Sequence, residues 1–523
     1  MLYEIMKYYT NNFAAVLYLL LFLVLIYLSV FNFRSLKNYF SAINRKYWLC
    51  LLAVLVLGFL FRVCLCPEAE IVGADRWNYR MAAESMMGDY GVLSNISSSV
   101  SRNVGHPYGY SFLLAIAYIF FGISIKASYA LNLLFGSLSI IAVFLMAYAV
   151  FKSRRAALLA SFILAALPWH IFYSGSAVSE IPNMFFVMVS VALFFIALEK
   201  KEKGFYYLTY TFLIFTLLIK KENIMLLLSM AAYVFLTERH VFRKILRELK
   251  LPENALFFGA LTSFAALEFI SLTARQLYAF PNTILSLESI LINTPLGFRI
   301  ILTDPLFLSA MLSFAFIFSC FNVIHSNHKK KIYFIILWLV LQTTFILLYI
   351  NGVPNRFLLI IYPSIILAIV YVVRMNHNRF KNVFVFLIIA SFVFYSYTDI
   401  SKCFAGRNCV FENEQSTTEE DKAFLENYNA LDLNRARVFV ITSDHEHFLM
   451  LKFIYPELRA SPVSGVMNSS IEERHKIFSR FDVYYFDEKD CPEKWIEYCN
   501  AVLELPKTAV MRTEGLDVYK IDV

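Results

Sequence analysis

The chain has 523 residues, of which 59% are hydrophobic and only 16% are charged. Because soluble domains are about half apolar and about a quarter charged, this composition excludes an ordinary soluble domain and indicates a protein that crosses a membrane several times. The net charge of +8 does not indicate nucleic-acid binding, since the Lys and Arg residues cluster between apolar runs, where they act as topology signals.

The first two apolar runs, Phe13 to Val30 and Tyr47 to Leu65, are each long enough to cross a bilayer. No small-residue cleavage site ends the first run, and basic residues follow it. We therefore expect a retained anchor rather than a removed signal peptide. The second run delivers the next segment to the outer side of the membrane.

That segment, residues 66–108, is a polar loop between long apolar runs. It concentrates ionisable side chains, namely Glu68, Glu70, Asp75, Arg76, Arg80, Glu84, Asp89, Arg102 and His106. A membrane core tolerates almost none of these groups, so their accumulation on one side marks a site. We interpret the loop as the active-site lid of a membrane enzyme.

The run from Gly109 to Gly122 has only 14 residues, which is marginal for a span and typical of a helix that lies in the interface. If it stays on the outer side, Ala127 to Phe151 crosses inward and ends at a basic cluster, as the positive-inside rule requires. Further spans are then predicted at 156–173, 178–198, 205–219, 224–236, 255–273, 306–323, 334–350, 357–373 and 383–397.

With this topology the basic loops fall on one side of the membrane, and the chain crosses it about 12 times, within a range of roughly 11 to 13. The predicted fold is an α-helical polytopic membrane protein with interfacial helices in the first outer loop and a small C-terminal α/β domain. We expect an anchor span and cytoplasmic loop at 1–46, a transmembrane catalytic domain at 47–398 and an extracytoplasmic domain at 399–523.

Several cations break the rule by lying on the outer side against span ends, namely Lys220, Lys221, Arg275, Arg299 and Arg356. Long cationic side chains at such places snorkel to the interface. Alternatively, cations at this depth bind an anion such as a lipid phosphate. The number of cations favours the second interpretation.

The tail changes composition abruptly. Short strands are predicted at 437–442, 483–486 and 518–521, with helices at 445–455 and 471–480 between them. Its four cysteines, at 403, 409, 491 and 499, permit one or two disulfides whose pairing cannot be read from the sequence. The cluster Asp444-His445-Glu446-His447 is better explained as a capped first helical turn than as a metal site.

A family resemblance is carried by motifs in a fixed order on the outer side. They are Asp75 and Tyr79, Gly88-Asp89-Tyr90, His106-Pro107-Tyr108-Gly109-Tyr110, Ser179-Glu180, Lys220-Lys221 and Asn355-Arg356-Phe357 with Tyr362-Pro363. The set resembles the GT-C membrane glycosyltransferases, in the branch of the dolichyl-phosphate-mannose protein mannosyltransferases and the lipid A aminoarabinose transferase. Where that family often has two adjacent carboxylates, this chain has Asp75 followed by Arg76.

The resemblance implies transfer of a sugar from a polyprenyl-phosphate (dolichyl or undecaprenyl) donor to a protein, glycan or lipid acceptor on the outer face. The acceptor hydroxyl must lose its proton, which requires a carboxylate, and we choose Asp75. Lys220, Lys221 and Arg356, with Arg275 and Arg299, are the expected ligands of the lipid phosphate. Glu180, His106, Tyr79 and Asp89 are expected to bind the acceptor or the sugar.

Simpler interpretations of the same residues stay open. Asp75 can cap a surface helix, Glu180 can favour a helix N-terminus, and His106 before a proline can shape a turn. His170 and Glu268 lie near or inside apolar runs, where polar groups are usually satisfied within the core.

We expect neither a cofactor nor a metal, although Asp75, Glu84, Asp89 and Glu180 are residue types that suit a divalent ion. The alternative functions are a transporter or flippase of lipid-linked sugars and a non-catalytic scaffold. A flippase favours related halves with matching helix breaks, which the sequence lacks, and a scaffold needs no cations at outer membrane depth. The expected location is a plasma (inner) or endoplasmic-reticulum-type membrane, with membrane lipids as partners.

Overall fold

The computed structural model describes residues 14–65, 79–80, 82–84, 86, 107–248, 251–279, 329–347 and 359–375 of the N-terminal three quarters. In the C-terminal part it describes residues 428, 430–431, 438–442, 459–462, 466, 477, 481–488, 496–512 and 516–521. The chain divides into two compact units. Unit 1 comprises 1–68 and 105–411, and unit 2 comprises 69–104 and 412–523.

Unit 1 is helical throughout its described residues. Its α-helices are α1 (Ala14–Phe40), α2 (Arg45–Leu65), α3 (Gly109–Phe121), α4 (Ile125–Phe151), α5 (Arg154–Ala165), α6 (Pro168–Ser174), α7 (Glu180–Lys200), α8 (Lys203–Ile219), α9 (Ile224–Thr237), α10 (Arg239–Glu248), α11 (Pro252–Ala279), α12 (Lys329–Leu347) and α13 (Tyr362–Met375). A 3-10 turn, Lys221–Asn223, joins α8 to α9.

Among the described residues, five helices are long and apolar enough to cross a membrane: α1, α2, α4, α7 and α11. Their apolar side chains face outward on the peripheral helices, as on α1 and α2, and pack inward on the central ones, α4 and α7. The chain is therefore an integral membrane protein. The spans predicted at 306–323 and 383–397 lie outside the described residues.

Salt bridges and capping contacts gather the basic loops at one end of the helix bundle, which we call the basic end. Lys152, after α4, pairs with Glu199 near the end of α7. Lys203 at the start of α8 pairs with Glu248 at the end of α10 at 3.0 Å, and Lys330 at the start of α12 pairs with Glu238 at 3.0 Å. These contacts bring together helix ends that the charge pattern places on one side of the membrane, and the direction of each span stays a prediction.

The short helix α3 packs against the start of α4. Tyr110 and Tyr118, near the two ends of α3, donate or share hydrogen bonds with Asn132 at 3.0 Å and Ser128 at 2.7 Å. Both partners fall in the first turns of α4. With 13 residues, α3 is shorter than the helices that are long enough to cross a membrane, and its place in the interface stays a prediction.

One predicted span is divided. The run 156–173 was expected to be one helix, but α5 ends at Ala165 and α6 begins at Pro168. Proline lacks the N–H of a helix interior and disfavours a helical residue before it. Leu167 accordingly has the extended conformation, with ψ of 113°.

Unit 2 contains a five-stranded mixed sheet with the order β2-β1-β3-β5-β4. The strands are β1 (Val438–Thr442), β2 (Arg459–Pro462), β3 (Asp482–Glu488), β4 (Lys507–Arg512) and β5 (Leu516–Ile521), with helix α14 (Ile496–Leu503) before β4. Pairs β1–β2 and β1–β3 are parallel, whereas β3–β5 and β4–β5 are antiparallel. The predicted small α/β fold is confirmed.

The sheet buries a compact apolar face. Phe439, Ile441, Val483 and Tyr485 from the two central strands pack together with Val502 of α14. Cys499, also on α14, forms a disulfide bond. The sequence predicted that the four cysteines of the tail allow one or two such bonds. The helices predicted at 445–455 and 471–480 lie almost entirely outside the described residues.

Candidate active site

A buried ion pair joins the start of α7 to the end of α8. The Lys220 ammonium lies 2.9 Å from Glu180 Oε1, and the two side chains are 0% and 3% exposed. Glu180 is the first residue of α7, where the helix dipole favours a carboxylate. Lys220 has an extended backbone, with φ of −146° and ψ of 127°, which ends α8 and turns the side chain towards α7. The two residues that the sequence assigned to different ligands therefore bond to each other.

The start of α7 meets the connection between α8 and α9 at a place that we call the corner. An asparagine fixes the corner. Asn223 Nδ2 donates to the carbonyl oxygens of Thr216 at 2.8 Å and Lys220 at 3.0 Å, which are left open at the end of α8. The same amide donates to Asn183 Oδ1 at 2.6 Å, one turn into α7. The backbone that carries Lys220 is thus tied to both helices.

Lys221, the next residue, is only partly buried. Burial lowers the pKa of its ammonium group below 10.5, the neighbouring Lys220 lowers it further, and Glu222 opposes the change. The connection between α8 and α9 therefore places two lysines and two carboxylates, Glu180 and Glu222, close together. Lysine ammonium groups are among the side chains that bind anions.

The motif around Gly109 packs directly on this corner. A Cβ at Gly109 would lie 2.4 Å from the carbonyl oxygen of Leu218 and 2.9 Å from the nitrogen of Ile219. Only glycine lets the start of α3 approach the last turn of α8 this closely, one residue from Lys220.

The same motif is linked to Glu180 from the other side. Tyr110 donates to Asn132 Oδ1 at 3.0 Å, and Asn132 Nδ2 donates to the carbonyl oxygen of Val178 at 2.7 Å and to that of Ser176. Asn132, at 0% exposure, therefore connects α3 and α4 to the segment that leads into Glu180. Three motifs that are far apart in sequence therefore meet at the end of the bundle opposite the basic end. They are the motifs around Gly109, Glu180 and Lys220.

The two core polar residues singled out in the sequence both have partners. His170 Nδ1 lies 2.6 Å from Arg62 Nη2, and Arg62 also donates to the carbonyl oxygens of Gly58, Leu164 and Ala165. Arg62 thereby caps α5 where the chain breaks before α6. Glu268 on α11 accepts a hydrogen bond from the Tyr108 N–H at 3.3 Å, which ties α11 to the start of α3.

The remaining predicted site residues lie in unit 2, in α11 or outside the described residues. Tyr79 belongs to unit 2, where it is buried in a helical segment that also holds the Arg80–Glu84 pair at 2.7 Å. Arg275 lies in α11. Asp75, Asp89, His106, Arg299 and Arg356 lie outside the described residues, and the part of the chain that the structure describes holds no group of three or more His, Cys, Asp or Glu residues suited to a metal.

Sequence reasoning missed several polar residues of the corner. They are Asn132, Asn183, Glu222, Asn223 and Gln342, all 3% exposed or less. A signal for them exists, because each lies within an apolar run or at its edge, where polar side chains are costly.

Residues 105–278 match the family model of the dolichyl-phosphate-mannose-protein mannosyltransferases. This stretch contains the Gly109 motif, Glu180, Lys220 and Lys221, so it covers the corner except for Gln342. No curated protein sequence matches the chain significantly.

The fold is similar to that of ArnT from Cupriavidus metallidurans, whose crystal structure contains undecaprenyl phosphate. The TM-score is 0.60 at 12% sequence identity, and the match covers 91% of this chain and 98% of that chain. Together with the family model, this likeness confirms the resemblance to the GT-C membrane glycosyltransferases, and the chain has their fold.

Proposed function

We propose that the protein is a membrane glycosyltransferase that moves a sugar from a polyprenyl-phosphate carrier to a protein, glycan or lipid acceptor. The observation that carries the proposal is the buried Lys220–Glu180 pair with Lys221 beside it. It lies at the end of the bundle opposite the basic loops, in a fold shared with a protein that binds undecaprenyl phosphate. By the positive-inside rule that end faces the extracytoplasmic side.

The corner suits the leaving group of such a reaction. A lipid phosphate that departs from a sugar carries negative charge that must be balanced at membrane depth. Since Glu180 pairs with Lys220 and Glu222 acts on Lys221, these four charges balance, and the excess positive charge in the proposal comes from the arginines. Arg356, Arg275 and Arg299 complete the proposed phosphate ligands, and a guanidinium binds two phosphate oxygens at once.

The reaction needs a base on the acceptor side. In the proposed step, Asp75 takes the proton of the acceptor hydroxyl, the acceptor oxygen bonds to the anomeric carbon, and the bond from that carbon to the phosphate oxygen breaks. The carrier phosphate leaves with the electron pair. One displacement inverts the anomeric centre, and a phosphate is a good enough leaving group that no general acid is required.

The other predicted residues receive positioning roles in the proposal. Glu180 holds Lys220, and the remaining candidates, His106, Tyr79 and Asp89, orient the acceptor or the sugar. The reaction as written involves no metal, because Lys and Arg supply the positive charge. The disulfide at Cys499 supports placement of unit 2 in an oxidising compartment.

The test is transfer of radiolabelled sugar by the purified full-length protein from a panel of undecaprenyl- and dolichyl-phosphate monosaccharides. We expect turnover with one donor, a fall of about 10²- to 10⁴-fold in Asp75→Asn, and no effect of a chelator. Asp482→Asn is the matched control, since Asp482 lies in an exposed pair with Lys520 in unit 2.

Other outcomes would redirect the proposal. Unchanged turnover in Asp75→Asn would move the base to Glu180 or Asp89. Absence of transfer from every donor, together with movement of the labelled carrier across liposomes, would establish a flippase instead.

A further inference from the structure

Four buried side chains next to the ion pair have polar atoms with no hydrogen-bond partner among the described residues. These atoms are both carboxyl oxygens of Glu222, Oδ1 of Asn223, Nδ2 of Asn183 and Oε1 of Gln342. The side chains come from three elements, namely α7, the 3-10 turn and α12. All four residues are at most 3% exposed.

Hydrogen bonds hold the four residues together. Asn223 Nδ2 donates to Asn183 Oδ1 at 2.6 Å, and Gln342 Nε2 lies 3.5 Å from the carbonyl oxygen of Glu222. We define these residues, Asn183, Glu222, Asn223 and Gln342, as the polar cluster. It adjoins the Lys220–Glu180 pair, because Asn183 follows Glu180 by one helical turn and Glu222 follows Lys221 in the chain.

The identity of the unpartnered atoms is fixed by their neighbours. Asn223 Nδ2 donates to two backbone carbonyl oxygens, and a carbonyl oxygen only accepts. The other atom of this amide is therefore the acceptor oxygen. Asn183 Oδ1 lies 2.6 Å from that same Nδ2 and shares one of its two hydrogens, so the unpartnered amide atom of Asn183 is a donor nitrogen.

A buried polar atom without a partner is costly, and native proteins hold few of them. Here four acceptor oxygens and one donor nitrogen lie in one neighbourhood. A ligand that satisfies them must donate several hydrogens and accept at least one. Phosphate oxygens mainly accept hydrogen bonds and do not match this set, whereas the hydroxyl groups of a sugar both donate and accept.

We propose that the polar cluster is the subsite that recognises the hydroxyl groups of the sugar carried by the polyprenyl phosphate. This inference rests on the proposed function, because it takes the anion beside Lys221 to be the carrier phosphate. A sugar attached to that phosphate reaches Glu222, which is the neighbour of Lys221. In this arrangement, cations of the corner bind the phosphate of the sugar donor, and the acceptor oxygens of the polar cluster bind its sugar.

The experiment measures binding rather than turnover, so that it is independent of the transfer assay. Full-length protein in nanodiscs is titrated with bare undecaprenyl phosphate and with undecaprenyl-phosphate monosaccharides that carry a hexose, an N-acetylhexosamine, a pentose or an aminopentose. We expect wild type to bind one glycosylated carrier at least about tenfold more tightly than the bare carrier, as hydrogen-bonded hydroxyl groups allow. Glu222→Gln and Gln342→Met are expected to reduce that ratio to about threefold or less.

Bare-carrier affinity separates recognition from misfolding. It should change by less than about twofold in Gln342→Met, which alters no charge near the phosphate, whereas Glu222→Gln removes a negative charge beside Lys221 and should strengthen binding of the bare carrier. Glu238→Gln, which removes a carboxylate at the basic end, should keep the full wild-type ratio. If Glu222→Gln fails to fold, Gln342→Met gives the same readout from a different helix.

Two results would overturn the inference. One is an unchanged ratio of glycosylated to bare carrier affinity in the folded variants. The other is a ratio that depends on added Mg²⁺ or Ca²⁺ and is lost with a chelator, which would make the oxygen cluster a cation site. Failure of sugar transfer by a protein that still shows the ratio would count against the proposed reaction and not against the subsite.

Discussion

Removal of one member of the Lys220–Glu180 pair should cost more stability than removal of both. The pair is 2.9 Å apart and its side chains are 0% and 3% exposed. Glu180→Gln leaves a buried ammonium without this partner, and Lys220→Met does the same to the carboxylate. Each single change is expected to cost about 3–5 kcal/mol of unfolding free energy.

The double variant Glu180→Gln/Lys220→Met should recover most of this loss. Replacing a buried ion pair by uncharged side chains of similar volume is often neutral or stabilising. A double-mutant cycle is therefore expected to give a coupling energy of about 3 kcal/mol or more, at the upper end for residues in contact.

The measurement is unfolding of the purified protein in mixed micelles by titration with SDS, followed by tryptophan fluorescence. The control cycle uses Lys330 and Glu238, which are 3.0 Å apart but whose side chains are 63% and 22% exposed. An exposed pair of this kind contributes about 0–1 kcal/mol. Equal coupling energies for the two cycles, or additive effects at Lys220 and Glu180, would refute the reasoning.

Two further predictions concern the same corner. Gly109→Ala places a Cβ 2.4 Å from the Leu218 carbonyl oxygen and should cost about 1–3 kcal/mol in the SDS titration, whereas Gly259→Ala, which meets nothing within 4 Å, should be neutral or stabilising. Destabilisation by Gly259→Ala, or unchanged stability of Gly109→Ala, would contradict the close approach of Gly109 to the Leu218 carbonyl oxygen. Because burial lowers the pKa of Lys221 below 10.5, affinity for undecaprenyl phosphate should fall with rising pH before an ordinary lysine would titrate. The decline should be absent in Lys221→Arg, and the same pH profile in both proteins would rule out Lys221 as the titrating group.

Hydropathy and charge predicted much of the helical unit because the membrane imposes simple rules on single helices. The predicted span 178–198 is α7, Glu180–Lys200, and 205–219 lies within α8, Lys203–Ile219. Run length sets the position of a span, and basic loops set its direction. Both signals are local, so they can be read without knowledge of packing.

The same local rules failed where neighbours decide the structure. The edge strands β2 and β4 were missed, since Arg459–Pro462 includes a proline and Lys507–Arg512 is interrupted by a bulge between Ala509 and Met511. Such strands are recognisable only through the strand that they pair with. The run 156–173 was predicted as one span interrupted by Pro168, whereas it forms two helices, α5 and α6, because hydropathy alone does not distinguish one span from two short helices.

The sequence by itself determined the class of protein and the positions of several helices, since these follow from apolar run length and the distribution of Lys and Arg. Only the tertiary structure decided which of the motif residues bond to one another. Glu180 and Lys220 are 40 residues apart, and Glu222 meets Gln342 across 120 residues. No local pattern encodes such distances, because the packing of α7, α8 and α12 brings the residues together.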